Sequence, residues 1–112
     1  MDKQINETLN IGTEVRLAEG IVKNIRIGSI GLIRKVRQLM KGKQYSFSYS
    51  IGRDVWTGET DGEAKTIDFP AVEAAYREAF NLVLVDGLTD AEYDQVDEKG
   101  IEELEMLLSR FL

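Results

Sequence analysis

The chain has 112 residues, with 14 Lys or Arg against 20 Asp or Glu, and it contains neither Cys nor His. Without Cys there is no disulfide framework, thiolate metal site or cysteine nucleophile. Without His the commonest general base, the commonest metal ligand and the Ser-His-Asp triad are all missing.

The 43% hydrophobic and 30% charged residues are those of an ordinary globular protein. A single domain over 1–112 is expected from that length. No catalytic residue, metal ligand or cofactor site is assigned. No apolar run approaches the roughly 18–20 residues of a membrane span, so no membrane partner is expected. Residues 1–7 lack the apolar core of a signal peptide, and the expected location is cytoplasmic.

The charges are sorted along the chain. Met1 to Arg53 holds ten basic and four acidic residues, a net charge of +6. Asp54 to Leu112 holds four basic and sixteen acidic residues, a net charge of −12. In one folded body this makes either a two-faced surface or one face folded against the other.

Residues 1–11 are polar apart from Ile5, Leu9 and Ile11, and read as a short helix or a tail. Residues 12–17 alternate Thr13, Val15 and Leu17 against Glu14 and Arg16, the period of a half-buried strand. Residues 19–41 carry two patterns. Ile21, Val22, Ile25, Ser29, Leu32, Ile33, Val36 and Met40 share one face at helical spacing, opposite Lys23, Arg26, Arg34, Lys35, Arg37 and Lys41. Gly28 and Gly31 oppose a continuous helix, each costing about 1 kcal/mol in its interior. Ile27 and Ile30 would also lie on its polar face, and the β-branched content favours strands. Strands are the preferred reading, with one helix as the alternative.

Residues 44–51 alternate Tyr45, Phe47, Tyr49 and Ile51 with three serines, predicting a strand with one aromatic face. Turns are predicted at Lys41-Gly42-Lys43 and Gly52-Arg53-Asp54. Val55-Trp56-Thr57 and Lys65-Thr66-Ile67 extend this into an antiparallel meander over 44–67, with a polar loop from Glu59 to Ala64. A helix follows, with Asp68 as N-cap, Pro70 in the first turn, and an apolar stripe of Val72, Ala75, Tyr76, Ala79, Phe80 and Val83. Asp86-Gly87 is its predicted stop. Thr89 and Glu92 have the spacing of a capping box. Ile101, Leu104, Leu107, Leu108 and Phe111 form the apolar face of a last helix. The class is therefore α+β: a small antiparallel sheet in the N-terminal half followed by two or three helices.

Three segments, Gly12-Thr-Glu-Val-Arg-Leu17, Gly28-Ser-Ile-Gly-Leu-Ile-Arg-Lys-Val36 and Tyr45-Ser-Phe-Ser-Tyr49, resemble the SH3-like small barrels. These include KOW-type domains and small barrel subunits of larger assemblies. The resemblance covers residues 12–58. It implies a module that docks on a larger assembly and has no chemistry of its own. It carries over no site residues, and the acidic helical C-terminal part lies outside it.

Candidate binding residues fall into three groups. The first is the cationic set Arg26, Arg34, Lys35, Arg37, Lys41, Lys43 and Arg53. From Arg16 to Arg53 there are nine basic residues and one acidic one, Glu19. Such a set suits an acidic protein or a nucleic-acid backbone, with Tyr45, Phe47 and Tyr49 available for base stacking. It equally suits the solvated side of a sheet whose aromatics are core. The second group is the acidic helix face of Glu102, Glu103 and Glu105, a docking surface for a basic partner or a solvated face. An EF-hand starting at Asp86 fails, because Leu88 and Ala91 fall where an oxygen ligand and a Gly are required. The third is Trp56, either a core residue, the favoured reading, or an exposed anchor. Asp54, Glu59, Asp61 and Glu63 read as a mobile acidic loop. The function these features suggest is a non-enzymatic interaction protein, an adaptor, assembly factor or inhibitor with a protein partner. A nucleic-acid-associated module is the alternative, and a small carboxylate enzyme a distant third. Oligomeric state is not fixed by the sequence.

Overall fold

The computed structural model describes residues 11–112, so the reading of residues 1–10 lies outside the described residues. The chain begins with an antiparallel hairpin, β1 (Ile11–Ala18) and β2 (Ile21–Arg26). Val15 and Leu17 of β1 and Ile21 and Ile25 of β2 are buried, while Glu14, Arg16 and Arg26 face solvent. Two register irregularities, one before Glu14 and one after Arg16, interrupt the ladder.

Residues 19–41 resolve into both sequence patterns in succession. β2 is followed by a short link and then by helix α1 (Ile30–Met40). Ser29 caps α1, its Oγ accepting from the Leu32 amide at 3.2 Å. Gly28 therefore lies before the helix and Gly31 within its first turn, so neither incurs the cost of a glycine in a helix centre. Only Val36 and Met40 of α1 are fully buried.

The strand expected over 44–51 is a correction. Residues 47–50 form the short helix α2 (Phe47–Ser50). Ser46 caps it by accepting from the Tyr49 amide, and Ser50 Oγ donates to the Phe47 carbonyl at 2.7 Å. Serines that alternation placed on a polar strand face instead hydrogen-bond the local backbone, the competition that pulls serine out of ladders. Phe47 alone of the three aromatics is fully buried, against Tyr76 and Phe80.

The meander reduces to a single hairpin, β3 (Trp56–Thr60) and β4 (Glu63–Ile67), in register from Trp56↔Ile67 to Thr60↔Glu63. The polar loop predicted over 59–64 is only a two-residue turn, Asp61-Gly62, with φ of 55° and 81°. Positive φ at both central residues is the type I′ geometry that matches strand twist, and Asp-Gly supplies it. The two hairpins remain separate two-stranded sheets, and no barrel is closed among the described residues.

The helical half follows the sequence closely. α3 (Phe69–Val83) is capped by Asp68, with Pro70 in its first turn. Its buried face contains Val72, Ala75, Tyr76, Ala79, Phe80 and Val83. The chain leaves α3 in extended form. Leu84 makes a bridge to Ile25, and the Val85 amide donates to Asn24 O at 2.9 Å, adding one rung to the β2 edge. α4 (Asp90–Gln95) opens on the Thr89–Glu92 capping box, with both reciprocal hydrogen bonds present. α5 (Glu98–Ser109) is capped by Asp97 and buries Leu104, Leu107 and Leu108. Phe111 follows it into the same core. One apolar cluster joins β1, β2, α1, α2, α3 and α5. Among the described residues the architecture is mixed α+β, two small antiparallel hairpins and five helices. No helix among the described residues is long and apolar enough to cross a membrane.

Candidate interaction surfaces

The split in charge has two structural outcomes. Two cations of the first hairpin, Arg16 and Lys23, are matched by the acidic C-terminal part. Arg16 pairs with Asp97 at 3.0 Å and Lys23 with Glu92 at 2.8 Å. Lys23 Nζ holds the Glu92 carboxyl below its usual range, helped by the Thr89 amide of the cap. Arg16 does the same for Asp97, helped by the Gly100 amide. These contacts fasten the hairpin to α4 and to the start of α5.

The cations from Arg26 to Arg53 form no ion pair with a carboxylate among the described residues. Gly20 to Arg53 holds eight basic residues and no acidic one, so no local partner exists in sequence. Some bind backbone oxygens instead. Arg26 donates to the Val85 carbonyl at 3.1 Å, and Arg37 Nε to the Phe111 carbonyl at 3.0 Å. Arg53 lies 3.7 Å over the Tyr49 ring and donates to the Tyr49 carbonyl at 2.6 Å. Arg34, Lys35 and Lys41 are exposed on α1 or at its end, and Lys43 is half-buried just beyond.

Helical spacing puts Ile30, Arg34, Arg37 and Lys41 in one row along α1, at i, i+4, i+7 and i+11. A shallow groove of about 540 Å³ runs beside that row, lined also by Ile33 and Gln38. Ile30 is 76% exposed. An isoleucine on a polar helix face was one objection to reading a helix here. The structure keeps the helix and leaves the isoleucine in solvent.

The predicted acidic residues lie on α5. Glu102 is exposed and Glu103 and Glu105 are half-buried. Met106, which sequence patterning passed over, is 61% exposed beside them. Glu105 also contributes, after burial itself, to raising the Tyr76 hydroxyl pKa.

Trp56 does not join the core. It is 41% exposed and lies across Gly58 on its own strand, where an added Cβ would come within 2.6 Å of the indole. Together with Tyr45, Tyr49, Lys65 and Ile67 it lines a groove of about 390 Å³ between the second hairpin and α2. The rings in it are partly covered by cations, Arg53 over Tyr49 and Lys65 at 5.8 Å from the Tyr45 centroid.

A smaller cavity of about 200 Å³ holds Glu73, Tyr93 and Asp94 among apolar walls. Both oxygens of Glu73 are engaged, one accepting from the Tyr93 hydroxyl at 2.8 Å and the other from the Gly52 amide at 3.1 Å. Burial, then Glu73, pushes the Tyr93 hydroxyl well above its ordinary range. A carboxylate so committed is a strut between α2, α3 and α4 rather than an acid–base pair. Among the described residues no group of three acidic side chains could hold a metal ion.

No family model matches the chain, no curated protein matches its sequence, and no solved structure matches its fold.

Proposed function

We propose that this chain is a non-enzymatic interaction protein whose working surface is the outer face of α1, and that its partner is an acidic, partly apolar protein surface. One observation carries the reading. Arg34, Arg37 and Lys41 form a row with no carboxylate partner among the described residues, while the hairpin cations Arg16 and Lys23 are each paired. The acidic part of the chain thus neutralises Arg16 and Lys23 of the first hairpin and leaves the α1 row outward-facing.

Ile30 favours a protein over a nucleic-acid backbone. A phosphate chain gains nothing from an exposed isoleucine at the head of the row, whereas an amphipathic helix does. The burial of Phe47 and the cations over Tyr45 and Tyr49 also weaken a base-stacking platform. The SH3-like resemblance of the N-terminal half adds no support, because two of its three segments contribute helices.

The test is fluorescence anisotropy with a labelled amphipathic peptide carrying Glu and Leu at i, i+4 spacing, at about 50 mM salt, where screening is modest. Saturable binding that Arg34→Glu with Arg37→Glu removes supports the proposal. Binding of a DNA or RNA oligomer through the same residues, with none of the peptide, overturns it in favour of a nucleic-acid module.

A further inference from the structure

The two most exposed large hydrophobic residues among those described are Ile30 and Met106. They sit on the two helices of opposite charge. From Ile30 to Lys41, α1 and its cap carry Arg34, Lys35, Arg37 and Lys41 and no acid. From Glu98 to Ser109, α5 carries Glu98, Glu102, Glu103 and Glu105 and one cation, Lys99. The spacings also correspond. Arg34 and Arg37 lie four and seven residues beyond Ile30. Glu102 and Glu98 lie four and eight residues before Met106. At 1.5 Å per residue the charges stand about 6 Å and about 11–12 Å from the apolar residue on each helix. Run antiparallel, the two helices set Ile30 against Met106, Arg34 against Glu102 and Arg37 against Glu98.

We propose that the α1 face docks on the α5 face of a second copy of this chain. The inference rests on the reading of α1 as an acid-binding surface and names its occupant. Each copy carries both halves of the contact. Arg37 of α1 is hydrogen-bonded to Phe111 just beyond α5, so the two halves are neighbours on one molecule. A two-fold axis then satisfies both at once, α1 on the partner's α5 and α5 on the partner's α1. The whole chain is net negative at −6, which opposes association at long range. The opposed rows attract within the screening length of about 10 Å, and so dominate on contact.

Sedimentation velocity on the full chain at about 50 mM and about 500 mM salt reads the outcome. A concentration-dependent species of twice the monomer mass, weakened at least tenfold at high salt, is expected. Arg34→Glu alone and Glu102→Lys alone each abolish it, and an equimolar mixture of the two variants restores a mixed dimer. A chain that stays monomeric at low salt overturns the proposal, as does association that neither reversal changes. The acidic-peptide titration separates the two levels. A monomer that still binds the peptide through Arg34 and Arg37 removes only the self-association, whereas a monomer that binds no peptide removes both.

Discussion

Gly100 in α5 lies against the Leu17 carbonyl in β1 so closely that a Cβ on it would overlap the carbonyl oxygen and stand 2.8 Å from the carbon. The Asp97 amide donates to that same oxygen at 3.0 Å. The start of α5 is therefore seated on the backbone of β1, and the missing side chain at position 100 sets the distance.

Gly100→Ala is expected to destabilise. A helical Gly→Ala change ordinarily gains about 1 kcal/mol, but here it meets backbone that cannot rotate away. Overpacking of that kind costs about 1–3 kcal/mol and outweighs the gain. A lower midpoint in urea unfolding is the expected result. A raised midpoint means that α5 slides along β1 without loss, contrary to the close seat described.

Phe47→Ala should be among the most damaging substitutions in the chain. The ring sits 4.9 Å from Phe80, edge to face, and 5.3 Å from Tyr76. Emptying such a site costs about 3–5 kcal/mol. Tyr49→Ala, two residues on at a half-exposed ring, should lose far less. Parallel thermal melts compare them. Equal losses would support the sequence expectation that both rings share one strand face.

Acid should weaken the seam between the first hairpin and the helices. Glu92 and Asp97 have folded pKa values below their ordinary 4.5 and 3.8. A lowered carboxyl pKa gives stability that is present above the ordinary value and is lost as pH falls through the folded one. Thermal midpoints should therefore drop as pH moves from about 5 towards about 3. In Lys23→Met the drop attributable to Glu92 shrinks, leaving the part due to its cap. An identical acid profile in the variant would contradict the Lys23–Glu92 linkage.

Gly58→Ala should report on the second hairpin without unsettling the core. Its Cβ would come within 2.6 Å of the indole, so Trp56 must turn away. As Trp56 is the only tryptophan, the change is read directly from the emission spectrum. Stability should move by no more than about 0.5 kcal/mol, as for other surface substitutions. An unchanged spectrum would show that the ring does not lie over residue 58.

Much of the helical half was legible because its signals are local and agree with one another. Asp68, Pro70 and the Thr89–Glu92 box mark true helix starts, and the stripe from Val72 to Val83 is the buried face as spaced. The N-terminal half was less so, for separate reasons. Between residues 19 and 41 two patterns overlap, and a strand and a helix occupy them in turn. At 44–51 the alternation was real, but alternation says nothing about what the intervening serines bond to. Ser46 and Ser50 took the backbone as partner, and the strand was lost. Of the surface, the cations of α1 were readable as a cluster. Which cations acidic residues would neutralise was not, because Arg16–Asp97 and Lys23–Glu92 join positions far apart in sequence. The outward placement of Trp56 was not legible, because a lone indole carries no periodicity.

The hairpin of β3 and β4 has nearly all its residues in solvent and turns on Asp61-Gly62. Such a turn is where a chain tolerates added length, since no buried side chain or core hydrogen bond depends on it. A short epitope or a dye-labelled loop inserted between Asp61 and Gly62 should leave folding unchanged. It would give a handle well away in sequence from α1 and α5, with which binding could be followed while those two helices stay unmodified.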